Sequence, residues 1–270
     1  MGKSMNSKKT NIGYFIYSHS EFDDLWDACF SRLEQHGMGF DNYYLFTDAV
    51  NKEIPEFITP IFYDDTKLFS EKLTMCIEQI KDEYVIYTHD DNFLKGDVDL
   101  EKIVHIKDML DDSDMSFVHL LRSGVPCLNQ SGFTFIELVP YKEETNLYYL
   151  QDESKQYVGQ PVIWNRKKFL EVVANNKATN STARNRGEKT RDLESVETHT
   201  WMIKNDIRGC FYFNAEKDIP LQPKNITWSS TIFPTMNGVR KGKWYITEHE
   251  DDLIPLFAEF DINPMKRGMM

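Results

Sequence analysis

This chain has no basic excess. Its 270 residues carry 31 Lys and Arg against 43 Asp and Glu, a formal net charge of −12. A nucleic-acid binder normally presents a basic footprint to phosphates, so the balance argues against that class. Cysteine is scarce as well. The four, Cys29, Cys76, Cys127 and Cys210, stand far apart, with no Cys-x-x-Cys and no zinc spacing. Buried, reduced thiols are the expectation, rather than a disulfide scaffold or a structural zinc. No apolar run approaches the roughly 18 residues that a membrane-spanning helix needs. The opening MGKSMNSKKT has no apolar signal core, so a cytoplasmic protein without a membrane span is expected. There is no internal repeat. What is present is core-forming material: 41% apolar residues, including 18 Phe, 13 Tyr and 5 Trp. A chain of this length and composition can bury a large core.

Apolar periodicity in the first half alternates between strand and helix. NIGYFIYS (11–18) reads as a buried strand. Ser20 is placed to cap a helix running to about Gln35, with Phe22, Leu25, Trp26, Cys29, Phe30 and Leu33 on its inner face. YYLFT (43–47) and PIFYDD (60–65) follow as strands, 69–82 as an amphipathic helix, and YVIYT (84–88) as a strand ending in HDDN. This order predicts an α/β fold with a largely parallel central sheet flanked by helices and a Rossmann-like N-terminal half. In such sheets ligands bind beyond the carboxyl ends of the strands. Three places are thereby singled out: Ser18-His19, Thr47-Asp48 and His89-Asp90-Asp91-Asn92.

The second half is less regular. Strands are expected at 115–121, 132–139, 146–150, 162–164, 211–213 and 244–246, and helices at about 166–173 and 193–204. Residues 175–192 are polar and nearly free of large apolar side chains, which predicts a long mobile loop.

The strongest chemical signal is YVIYTHDDNFL (84–94), a buried strand that delivers two adjacent carboxylates to its open end. Neighbouring acids repel, and a cation relieves the repulsion. Hard divalent ions take oxygen ligands, and magnesium commonly takes substrate phosphates as well. An ordinary solvated Asp-Asp turn fits the same residues.

Taken in order, NIGYFIYSHSEFDDLWDACFSRL, YYLFTD, LFSEKLTMCIEQIKDEYVIYTHDDNFL, YVGQPVIWNRKKFL and LESVE resemble glycosyltransferases of the glycosyltransferase-A fold, of the small bacterial and viral type. The resemblance covers roughly residues 11–250 and rests on short motifs. It implies one glycosyltransferase-A-like domain over 11–270 behind a flexible tail (1–10). Residues 11–114 would form the nucleotide-sugar-binding half and 115–270 the acceptor half. It also implies transfer of a sugar from a nucleotide diphosphate sugar to a glycan or other acceptor hydroxyl, assisted by Mn²⁺ or Mg²⁺. The family's metal motif is Asp-x-Asp; here the frames read Asp90-Asp91-Asn92 and His89-Asp90-Asp91, a departure from the standard pair. By analogy Asp91 is the direct metal ligand, and Asp90 touches the metal's shell or the donor ribose. Ser18, His19, Thr47, Asp48 and Lys72 would meet the donor.

Gln160 and Trp164 would meet the acceptor, Trp164 through its flat face, although core packing suits Trp164 equally. Glu197 and Glu194 lie one helical turn apart and are the candidates for the base that an inverting transfer needs. His199 and His249 are further possible contacts. Two other readings stay open: a non-catalytic glycan- or nucleotide-binding module of the same fold, and a nucleotidyltransferase. The latter would want a glycine- and basic-rich loop after the first strand, where this chain has Ser18-His19-Ser20-Glu21.

The net charge also hides a division. Residues 82–114 hold eleven acids and three bases, whereas 161–191 hold eight bases and two acids. The first could recruit a cation and the second an anion.

Overall fold

The computed structural model describes residues 9–121, 127–129, 132–134, 138–141, 146–150, 161–176, 196–214, 217, 230–240 and 242–270. In chain order the strands are β1 (Ile12–Tyr17), β2 (Asn42–Thr47), β3 (Ile58–Phe62), β4 (Tyr84–His89), β5 (Asn92–Leu94), β6 (Met115–His119), β7 (Cys127–Asn129), β8 (Gly132–Thr134), β9 (Leu138–Pro140), β10 (Leu147–Leu150), β11 (Val162–Asn165), β12 (Arg208–Tyr212), β13 (Thr235–Asn237), β14 (Val239–Arg240) and β15 (Lys243–Trp244). The α-helices are α1 (Trp26–His36), α2 (Phe69–Ile77), α3 (Leu100–Asp111), α4 (Arg166–Asn175), α5 (Val196–Lys204) and α6 (Ile246–Glu259).

Nine strands form one sheet in the order β3-β2-β1-β4-β11-β6-β12-β10-β9. The β3, β2, β1 and β4 neighbours pair in parallel, as do β6 and β12. Strand β11 runs antiparallel between β4 and β6, and β10 antiparallel between β12 and β9. The sheet is thus mixed but mostly parallel, and the expected α/β fold is the one observed.

Both faces of the sheet are covered, which explains why the central strands read as continuous apolar runs rather than as alternation. In β1, Ile12, Tyr14 and Ile16 face one core with Trp26, Phe30 and Leu33 of α1 and with Ile103 and Ile106 of α3. Phe15 faces the opposite core, with Leu73 and Ile77 of α2 and with Phe169 and Val172 of α4. Each such side chain, fully buried, favours the fold by about 1.5–3 kcal/mol. Burial also accounts for Cys29, Cys76 and Cys210, which are free thiols in these cores.

Three local readings are corrected. Ser20 does not cap the first helix. A short 3-10 helix (Ser20–Leu25) intervenes, and its cap is His19, whose side chain accepts from the Glu21 N–H. Helix α3 stands where only an acidic stretch was visible. The strand expected at 244–246 is instead Lys243–Trp244, and α6 begins at Ile246. The loop expected at 175–192 falls, from residue 177 onward, outside the described residues.

Candidate functional site

The parallel pairing of β1 with β4 puts Tyr17 opposite His89, so the residues that follow each strand emerge side by side. Tyr17, Ser18 and His19 from β1 and its exit, and His89, Asp90 and Asp91 from β4 and its exit, line a cavity of about 200 Å³. Phe22, Leu25, Val239 and Gly242 complete its lining.

The hydrogen bonds around Asp90 have a defined direction. The Trp26 indole N–H donates to Ser18 Oγ (2.7 Å), and Ser18 Oγ donates to Asp90 Oδ2 (2.5 Å). An indole N–H can only donate, so the Ser18 hydroxyl accepts from Trp26 and has its single proton left to give. Ser18 is only 3% exposed. Its hydroxyl is thus engaged by Trp26 and Asp90, while the residue lines the cavity. Asp90 Oδ1 has no hydrogen-bond partner among the described residues. Asp91 is held from the other side: Asn92 Nδ2 donates to its Oδ1 (3.0 Å), Asn237 Nδ2 approaches its Oδ2 (3.4 Å), and the Gly238 N–H donates to its carbonyl (2.8 Å).

Burial pushes the Asp90 carboxyl up to about 8, the neighbouring Asp91 charge adding to it and Ser18 and Arg267 opposing it. Burial likewise pushes Asp91 up to about 6, against the Asn237 hydrogen bond and the Arg267 charge. Loss of solvent lowers His89 to about 4, so it is neutral at pH 7. Its Nε2 lies 2.7 Å from the Tyr87 hydroxyl, so that ring nitrogen is already engaged.

A second network sits beside the cavity at the ends of β1, β2 and β3. The Ser20 N–H and hydroxyl donate to Asp48 (2.7 and 2.8 Å). Burial alone would raise Asp48, but these Ser20 donors outweigh it and hold the carboxyl below its usual range. His19 Nε2 stands 3.6 Å from Asp48 and 3.4 Å from Asp65. Lys72 is 5% exposed, ion-paired to Asp65 and stacked 4.8 Å from the Tyr63 ring centroid. It is thus joined to the site through Asp65 and does not reach out as an open cation. Thr47 is 0% exposed, and its hydroxyl donates to the Ala49 carbonyl (3.0 Å), so it shapes the turn from the interior.

Trp164 is also corrected. It is 0% exposed, with its ring 4.1 Å from Phe117 and 4.9 Å from Phe169, and offers no face to a sugar. Glu197 is in the first turn of α5, but its side chain, like all of Gln160 and Glu194, lies outside the described residues. His199 and His249 are buried in α5 and α6.

Several residues at or beside the cavity were not foreseen. Val239 and Gly242 come from the β14–β15 hairpin, where Gly242 has φ +75°, a conformation that favours glycine. The NGVRKG run was the available signal for that turn. Arg267 and Asp24, whose charges act on Asp90, carry no local motif at all.

Among the described residues no group of three or more His, Cys, Asp or Glu could hold a metal ion by itself. Two adjacent carboxylates, both raised by burial, suit a different arrangement. Magnesium-type ions usually bind through one or two carboxylates, with phosphate oxygens and waters filling the remaining positions. Asp90 and Asp91 fit such an ion, arriving with its phosphate ligand.

No protein-family model matches the chain, and no curated protein matches it. Among solved structures it is similar to the bifunctional IspDF of Campylobacter jejuni, with a TM-score of 0.44 and 14% identity over 77% of this chain and 50% of that one. It is similar to S. aureus TarS 1–349, with a TM-score of 0.43 and 11% identity over 83% of this chain and 60% of that one. A third is the glycosyltransferase GlyE of Streptococcus pneumoniae TIGR4, with a TM-score of 0.39 and 10% identity over 75% and 45%. The chain therefore spans about half the length of these proteins. Likeness at this level is loose, and the chemistry of the site is read from its own residues. No described helix is long and apolar enough to cross a membrane.

Proposed function

We propose that the protein is a glycosyltransferase that takes a sugar from a nucleotide diphosphate sugar and transfers it to an acceptor hydroxyl. The observation that carries this reading is the pair Asp90–Asp91. Two neighbouring carboxylates stand at the carboxyl end of β4, on a cavity shared with the end of β1, and burial raises both. Carboxylates so placed favour a divalent cation, and Mn²⁺ or Mg²⁺ there would neutralise charge on a leaving diphosphate. Asp91 is the direct ligand, held by Asn92, Asn237 and the Gly238 N–H. Asp90, oriented by Ser18, turns Oδ1 to the metal's shell. His19 and Asp48 face the donor nucleotide beside them.

A cavity of about 200 Å³ is smaller than the roughly 300–1,000 Å³ of drug-sized ligand pockets. It suits the diphosphate–metal part of a donor, with the base and sugar lying over its mouth. Glu197, with Glu194 second, is the proposed base for the acceptor hydroxyl, and Gln160 a proposed acceptor contact.

A thermal-shift panel of nucleotide sugars and nucleoside diphosphates, with and without Mn²⁺, tests the reading. At least one ligand should raise the melting temperature in a Mn²⁺-dependent way. No shift with any of them would remove the proposal. A binding module of the same fold is the second reading, favoured by the departure from Asp-x-Asp. It would show the shift without slow hydrolysis of the donor.

A further inference from the structure

Arg267 has a side chain that is only 9% exposed. It follows the short 3-10 helix Pro264–Lys266, in a segment tied to the hairpin that lines the cavity. The Trp244 N–H donates to the Gly268 carbonyl (3.0 Å), and the Met270 N–H donates back to the Trp244 carbonyl (2.9 Å). Trp244 is buried against Phe93 and Phe257, and Phe93 follows Asp91 by two residues. The segment is thus fixed to the same structure that holds Asp91.

The guanidinium lies 5.1 Å from the ring centroid of Phe22, a residue that lines the cavity. Its Nε donates to Asp24 Oδ2 (3.2 Å), and its Nη2 donates to Asp24 Oδ1. That bidentate grip uses one edge of the fork. Nη1 has no hydrogen-bond partner among the described residues. Phosphate oxygens match an arginine fork, and Phe22, over whose ring this guanidinium lies, lines the cavity that Asp90 and Asp91 share.

We propose that Arg267, held in place by Asp24 and the Phe22 ring, binds the phosphate oxygens of the ligand through its open Nη1 edge. Asp24 serves as its holder and competes with the ligand for the guanidinium. This rests on the proposed function, since it assumes a phosphorylated ligand in the Asp90–Asp91 cavity. The bland alternative is a brace that merely staples residues 264–270 to the 3-10 helix Ser20–Leu25.

The test is calorimetric titration with UDP, GDP, ADP and CDP in Mn²⁺, and with the corresponding nucleosides. Wild type is compared with Arg267→Gln, Arg267→Lys and Asp24→Asn. For the nucleoside diphosphate that wild type binds most tightly, Arg267→Gln should weaken binding at least tenfold while changing nucleoside binding less than twofold. Asp24→Asn, which frees the guanidinium, should leave diphosphate binding equal or tighter. Equal diphosphate-to-nucleoside preference in wild type and Arg267→Gln overturns the assignment, as does an equal loss in Arg267→Gln and Asp24→Asn, the pattern of a brace. Should Arg267→Gln fail to fold, Arg267→Lys decides. It keeps the charge and loses the fork, so a severalfold loss confined to the diphosphate supports the assignment, and no loss overturns it. If wild type binds no nucleoside diphosphate at all, it is the proposed function that fails.

Discussion

At the residue scale the site turns on a few hydrogen bonds that start from a fixed donor. Trp26 can only donate, so Ser18 gives its own proton onward, and Asp90 Oδ2 at 2.5 Å is a nearer acceptor than the His19 carbonyl at 3.3 Å. Trp26→Phe keeps most of the buried ring but leaves Ser18 without its donor. A loss of about 1–3 kcal/mol is expected, read by urea unfolding. An unchanged midpoint would show that the chain of bonds contributes nothing to the fold. The two aspartates should differ in consequence. Asp91→Asn should abolish the Mn²⁺-dependent part of the thermal shift given by a nucleoside diphosphate, whereas Asp90→Asn should reduce it. Equal, full retention in both variants would place the metal elsewhere. The acid pair was legible because a buried strand that opens with four apolar or aromatic residues, Tyr84–Tyr87, does not end in Asp-Asp without a use for it or a solvated turn. Arg267 was not legible, because its meaning depends on Asp24, more than two hundred residues away. Trp164 was ambiguous in sequence, and packing between Phe117 and Phe169 decided it.

At the scale of elements β1 to β4 and α2 were read where they stand, since each buries a face against one of two cores. Helix α3 escaped notice because the charges between Ile103, Ile106 and Leu110 hide their helical spacing. Its N-cap, Asp99, accepts from the Lys102 N–H at 2.9 Å, a signal that was available in the sequence. Helix α6 contains Pro255 and a non-helical residue, His249, and a proline inside a helix reads as a breaker. Strand β12 packs tightly on β6. A Cβ added at Gly209 would lie 2.1 Å from Phe117 Cε2. Gly209→Ala should therefore force the Phe117 ring to move and cost about 1–3 kcal/mol. Denaturant unfolding checks this, and a neutral result would mean that the β6–β12 contact is looser than described.

At the scale of the whole molecule the net charge of −12 is less informative than its placement. The acidic stretch 82–114 includes the carboxylates that suit a cation, and buried acids leave a mark on stability. Burial holds both Asp90 and Asp91 above the ordinary value of 3.8, Asp90 the further because the Asp91 charge adds to it. Between pH 4 and 8 the folded protein holds protons that the unfolded chain has released, so the pair makes stability fall as pH rises. His89 is lowered from 6.5 to about 4, so it contributes stability that is lost as pH falls through that window. The two effects partly cancel below pH 6.5, which leaves Asp90 to act between 6.5 and 8. The melting temperature should fall across that interval, and Asp90→Asn should flatten the slope. A slope unchanged in the variant would assign it to other groups.

Fold class was legible because burial on both faces of a parallel sheet leaves long apolar runs. Of the residues expected to meet an acceptor, Gln160, Glu194 and the Glu197 side chain lie outside the described residues, and Trp164 is packed in the core. The most direct measurement is release of nucleoside diphosphate from a panel of nucleotide sugars, in wild type and Asp91→Asn. A Mn²⁺-dependent release from at least one donor, lowered at least a hundredfold by Asp91→Asn, is predicted. A donor that binds and is never cleaved, or a release indifferent to Asp91, would contradict it.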